Sequence, residues 1–160
     1  MMILPLLIAQ LAQPPITQRE VLAMMDRIPI CERGCDAPYR WSRVRNAKAI
    51  AAAIAAVAPT RERAAQMAVY AAWESGLDAR AESPDHLDHG AWQLRGVSIE
   101  IANDPNRAAA VWLGLADQNE ALCQGNPPDE QLAALASGSC DHGRAKVKRR
   151  WHVAQAILQP

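Results

Sequence analysis

Phenylalanine is absent from this 160-residue chain and tyrosine occurs only twice, so the aromatic residues that favour strands are nearly missing. An all-β architecture is excluded. The chain also lacks a surplus of either charge: seventeen Lys and Arg balance seventeen Asp and Glu, so no overall field draws it toward nucleic acid or an acidic lipid surface. No nucleic-acid partner is expected, and any electrostatics must be local. A long apolar run is missing too. The best stretch, Met1 to Ala12, is interrupted by Pro5 and Gln10 and falls short of the roughly 20 residues a spanning helix needs, so no stable membrane span is expected. The four cysteines include no Cys-x-x-Cys pair, which removes the usual zinc framework. What is present is a globular composition, half apolar and 21% charged, of a length that suits one domain. Alanine, the best helix former, fills about a fifth of the positions, so the fold class is expected to be mainly α.

The first dozen residues have the length of a signal-peptide apolar region, with Ala9 and Ala12 near cleavage points and Pro14-Pro15 beyond, although a positive leader is missing. Residues 1–15 are therefore read as a signal or an apolar arm, and residues 16–160 as the domain. Export to a periplasmic or extracellular compartment would favour disulfides. Cys31, Cys35, Cys123 and Cys140 allow three pairings, of which Cys31 with Cys35 and Cys123 with Cys140 are preferred. The second pair would tie the end of one helix to the turn before the last.

Helix signals then follow one another. Thr17-Gln18-Arg19-Glu20 reads as a capping box ahead of an apolar run that ends before Pro29. From Ser42 to Ala58 apolar residues recur at helical spacing, and Pro59 closes the stretch. Thr60 can cap a helix to Ser75, stopped by Gly76 and apolar nearly all round between Ala64 and Trp73. Residues 76–97 mix Gly, Pro, Asp and His and read as a long irregular segment with room for a short hairpin. Asp104-Pro105 opens a helix through Leu122, Asp129 caps a short one to Ser137, and a last helix carries Val147, Trp151, Val153, Ile157 and Leu158.

Glu74 stands out because it follows a buried run in the last turn of its helix. Burial and the negative end of the helix dipole both disfavour a carboxylate there. A raised pKa is expected, which is what a general acid needs in order to hold a proton near neutral pH.

The run Ala71-Ala72-Trp73-Glu74-Ser75-Gly76-Leu77-Asp78-Ala79, then Ser83, then Gly90-Ala91-Trp92-Gln93-Leu94, resembles the soluble lytic transglycosylase and goose-type lysozyme group. That group carries a helix ending in Glu-Ser, an irregular stretch with a Ser and a Gly-x-x-Gln-Leu segment, and the order and spacing agree over roughly 25 residues. The resemblance implies a lysozyme-like single domain with a long irregular active-site segment, acting without cofactor or metal on peptidoglycan glycan strands. Glu74 would be the catalytic acid and base, and Ser75 and Gln93 would shape the cleft or contact the sugar, with Gly90 and Trp92 beside them. Family members use one Glu and let the sugar's own 6-hydroxyl attack, which favours a transglycosylase over a water-using muramidase. A monomer is expected, of bacterial or phage origin. The chain departs from the group at a later helix, where Tyr-Asn-x-Gly is replaced by Leu135-Ala136-Ser137-Gly138. Tyr39 or Tyr70 would have to supply the phenol. That loss favours a third reading, a non-catalytic wall-binding or phage structural protein on the same fold.

Three clusters have blander readings. Asp85-His86-Leu87-Asp88-His89 has donors suited to a metal, yet on a loop it reads as solvated. Trp73, Trp112 and Trp151 read as core, and Trp92, beside Gln93, is placed in the cleft. Arg144, Lys146, Lys148, Arg149 and Arg150 read as a solvated helix face around Val147 and Trp151.

Overall fold

A computed structural model describes residues 14–32 and 39–159. The apolar stretch 1–13 and Cys35 lie outside the described residues, and with them the signal segment and the Cys31 to Cys35 pairing. Among the described residues seven α-helices and one two-stranded hairpin follow in order: α1 (Gln18–Met25), α2 (Ala47–Val57), α3 (Arg61–Ser75), β1 (Asp88–His89), β2 (Leu94–Arg95), α4 (Ile99–Ala102), α5 (Pro105–Leu122), α6 (Ala133–Ser137) and α7 (Arg144–Ala156). No described helix is long and apolar enough to cross a membrane.

Three of the seven described α-helices start where a side chain satisfies their free N–H groups. Thr17 and Glu20 close the expected capping box on α1, the Thr17 hydroxyl accepting from Glu20 N at 3.2 Å and Glu20 accepting from Thr17 N at 2.8 Å. Thr60 accepts from Arg63 N at 3.1 Å to start α3, and Asp104 accepts from both Asn106 N and Arg107 N ahead of Pro105. Two expected boundaries move. The Ser42–Ala58 helix is broken: Trp41–Arg43 forms a single 3₁₀ turn, Val44 is extended, and α2 begins at Ala47. Asp26 holds Ser42 through both its backbone N (2.8 Å) and its hydroxyl (2.6 Å), which fixes the turn and prevents one continuous helix. Asp129 does not cap a helix to Ser137 either; a 3₁₀ turn at Pro128–Glu130 comes first, and α6 starts only after Leu132.

α3 runs through the centre, with every residue from Ala64 to Ala72 buried. α2 packs on α1 and α5, and α7 lies along α3. The indole N–H groups of Trp41 and Trp73 donate to the carbonyls of Ile28 and Pro29, both at 2.9 Å, pinning the exit from α1 over the core. A disulfide joins Cys123, just past α5, to Cys140 in the turn before α7. It closes the chain between α5 and α7, α6 included, into a loop.

Candidate active-site cleft

The C-terminus of α3 is built to present Glu74. Gly76 takes a left-handed conformation (φ 67°) and donates to Ala72 O at 3.0 Å, while Leu77 N reaches Ala71 O at 3.2 Å. This paired closure stops the helix two residues past Glu74. Leu77 itself has φ 61° and is fully buried, so its apolar anchoring holds a conformation a branched side chain resists. The Ser75 hydroxyl is shared between the carbonyls of Ala71 (3.0 Å) and Ala91 (2.9 Å) and accepts from Asp78 N. Ser75 thus ties the helix end to the hairpin, with its hydrogen-bonding capacity taken up by backbone.

Glu74 borders a cleft of about 600 Å³. Its side chain is 23% exposed and carries two ion pairs, one to Arg150 and one to Lys146 Nζ at 3.0 Å. Burial alone pushes the Glu74 carboxyl up, as expected, but the Arg150 guanidinium and the Lys146 ammonium outweigh it and hold it below the usual carboxylate range. The expectation of a raised pKa is therefore corrected. The sequence reasoning counted burial and the helix dipole and missed the two cations brought over by α7.

Arg150 organises this side of the cleft. Its side chain is 1% exposed, lies over the Tyr70 ring at 4.6 Å, and donates to Glu32 from Nε at 3.2 Å as well as to Glu74. Burial opposes its charge, but Glu74 and Glu32 keep it firmly cationic. The basic run is a solvated face except at Arg150, which is buried, although its partly exposed members also form ion pairs: Lys146 meets Glu74, Lys148 meets Asp129 and Glu130, and Arg144 meets Asp141 and Glu130. A signal for Arg150 was present, since Val147, Arg150, Ala154 and Ile157 fall at three-four-three spacing and all are buried.

The opposite wall is the hairpin, in which Asp88 faces Arg95 and His89 faces Leu94. Its turn spans Gly90 to Gln93, closed by Gln93 N donating to Gly90 O at 3.1 Å. Gly90 is required by packing: φ is 77°, and a Cβ there would overlap the carbonyl of Ala102 on α4. Trp92 lines the inner wall but is 3% exposed, and its indole N–H donates to Met67 O at 3.0 Å, so it seats the hairpin on α3. Gln93 lines the cleft with φ 49°, its amide donating back to Gly90 O at 2.9 Å and its Oε1 left for other partners. A left-handed non-glycine residue at a cleft wall is strain held by its surroundings. The structure thus gathers Glu74, Trp92 and Gln93 around one cleft, while Gly90 and Ser75 act as its joinery.

The third side is formed by α5 and α6. Leu135 to Gly138 lines the cleft, with Gly138 left-handed at φ 70°. Tyr70 lines it as well, whereas Tyr39 stacks on Trp41 at 4.6 Å elsewhere. Burial pushes the Tyr70 phenol far up, so it stays a neutral donor. Its hydroxyl and Asn119 Oδ1 on the same cleft are buried without a hydrogen-bond partner among the described residues.

Asp88 is the other carboxylate on the cleft, and Arg95 holds it from Nε (2.9 Å) and Nη2 (3.1 Å). Asp85 also goes to Arg95, and His86 pairs with Glu82 at 2.8 Å. Among the described residues no group of three or more His, Cys, Asp or Glu is gathered to hold a metal ion. No protein-family model, curated protein or solved structure matches this chain.

Proposed function

We propose that the protein cuts peptidoglycan glycan strands at the bond after N-acetylmuramic acid, with Glu74 as general acid and then base. The observation that carries this reading is the half-buried Glu74 at the edge of a large cleft whose opposite wall offers Gln93. Glu74 would donate its proton to the glycosidic oxygen as the C–O bond breaks. The 6-hydroxyl oxygen of the same muramyl residue would then bond to its C1 and return its proton to Glu74, leaving an anhydro end. A transglycosylase is favoured over a water-using muramidase because Asp88 is clamped by Arg95 rather than free to direct water. Export to a periplasmic or extracellular compartment belongs to the same proposal and agrees with the Cys123–Cys140 disulfide.

A second reading, a wall-binding protein without catalysis, is favoured by one observation, the pairing of Glu74 with two cations. Clearing of purified cell walls separates the two. The catalytic reading expects wild-type protein to clear walls, with anhydro-muramyl products lighter by one water than hydrolytic ones in mass spectra. Glu74→Gln should slow clearing by about 10²- to 10⁴-fold, and because it unbalances Arg150 it should also lower the melting temperature. Wild-type protein that sediments with walls but clears none would establish the binding reading.

A further inference from the structure

Catalysis by Glu74 requires a proton on a carboxylate that faces two cations, and those cations differ in kind. Arg150 is 1% exposed, lies over Tyr70 and is fastened to Glu32 through Nε and Nη2. It cannot leave without stranding buried charge. Lys146 is 35% exposed, lines the cleft, and pairs with Glu74 at 3.0 Å from a flexible four-carbon stem. It can turn toward a ligand at little cost.

Counting charge shows what such a turn does. Arg150 and Lys146 balance Glu32 and Glu74, so the four groups are neutral together; Arg149 reaches Glu32 only at 3.8 Å and is about half exposed. The remaining walls add no net charge. Asp88 and Arg95 of the hairpin pair with each other, Asp85, the second partner of Arg95, is exposed and does not line the cleft, and the cleft-lining residues of α5 and α6, Trp112, Leu115, Asn119 and Ala134 to Ser137, are uncharged. When the Lys146 ammonium moves to a carboxylate on the incoming ligand, the Arg150, Glu32 and Glu74 trio is left with one excess negative charge in a largely buried place. One proton taken from solvent onto Glu74 restores neutrality.

We propose that Lys146 is a specificity residue that reads a carboxylate on the bound glycan and, by exchanging Glu74 for it, lets Glu74 take up the proton it will deliver. This deepens the proposed function and rests on it. A cleft working in this way prefers muramyl strands whose carboxylate has been freed of its peptide by a prior amide-cleaving reaction, and discriminates against strands of the same length that lack that carboxylate, such as those of chitin. Recognition and arming of the acid are then one event.

The test uses glycan strands freed of peptide, with muramyl carboxylates intact or converted to methyl amides, and compares wild type, Lys146→Met and Lys146→Arg. Wild type should prefer the intact strand by about 10- to 100-fold in kcat/KM, the range of one charge-assisted contact. Lys146→Met should lose that preference, and the alkaline limb of its kcat/KM profile, which reports loss of the acid's proton in free enzyme, should move to higher pH. Lys146→Arg should recover the preference at least in part. A lysine that only pairs with Glu74 would move the alkaline limb but leave the preference between strands unchanged. Cleavage of both strands at one rate by wild type, or an undiminished preference in Lys146→Met, would overturn the inference while leaving the functional reading standing. Failure of wild type to cut either strand would sink the functional reading and the inference with it.

Discussion

Where α2 meets α1 and α5, its buried residues are Ala47, Ile50, Ala51, Ala53 and Ile54, all apolar and fully covered. Where α3 meets α7, a guanidinium lies between two carboxylates, with a second cation at the edge. The first seam spreads its free energy over many small side chains, none worth more than about 1.5–3 kcal/mol even for a whole Ile. The second concentrates its consequences in Arg150, because a buried charge that loses its partner has no water to turn to. The apolar seam holds the scaffold; the charged seam sets the protonation of the cleft.

Breaking the charged seam should have the largest effect on stability. Arg150→Met leaves Glu74 to Lys146 alone and Glu32 to the more distant, half-exposed Arg149, and should cost about 3–5 kcal/mol, a fall of roughly 6–20 °C in Tm for a domain of this size. Thermal denaturation followed by circular dichroism checks this. Adding Glu74→Gln and Glu32→Gln to the same chain should recover part of the loss, and no recovery would show that Arg150 acts by packing on Tyr70 rather than by charge.

Reduction of the Cys123–Cys140 disulfide comes next. The bond joins residues 17 apart, and loop closure of that size is worth about 3 kcal/mol. A reduced protein with unchanged Tm would mean that the fastening of α6 depends on the surrounding hydrogen bonds, among them Asn126 Nδ2 to Cys140 O at 2.9 Å.

Acid sharpens the comparison further. The carboxyl of Glu74 is held below its ordinary range in the folded protein, so its contribution is full above that range and is lost as pH falls through it toward the lower folded value. Denaturant titrations at a series of acidic pH values should show wild type losing stability that Glu74→Gln has already lost, so the two curves converge on acidification. Parallel curves would deny the ion pairs any role in stability.

Smaller effects are expected away from the charges. Ile54→Val, in the apolar seam, should cost about 0.5–1.5 kcal/mol with no pH dependence. At the hairpin, Gln93→Gly relieves a left-handed φ of 49° and should leave stability within about 1 kcal/mol of wild type while weakening wall clearing. Full activity in that folded variant would remove Gln93 from the site.

Several caps and stops of this fold are local events, and the sequence by itself determined these. Thr17 with Glu20, Thr60, Asp104 with Pro105, and Gly76 each act within a few residues of the helix end they define. Glu74 could be singled out for the same reason, since its place in the last turn of a buried helix follows from α3 alone. Only the tertiary structure decided what surrounds it. The break between Trp41 and Ala47 depends on Asp26, the required glycine at 90 depends on α4, and the state of Glu74 depends on Arg150 and Lys146, more than 70 residues away in the chain. Charge acts through space and burial, and a basic run reads the same in sequence whether its members meet water or a buried carboxylate.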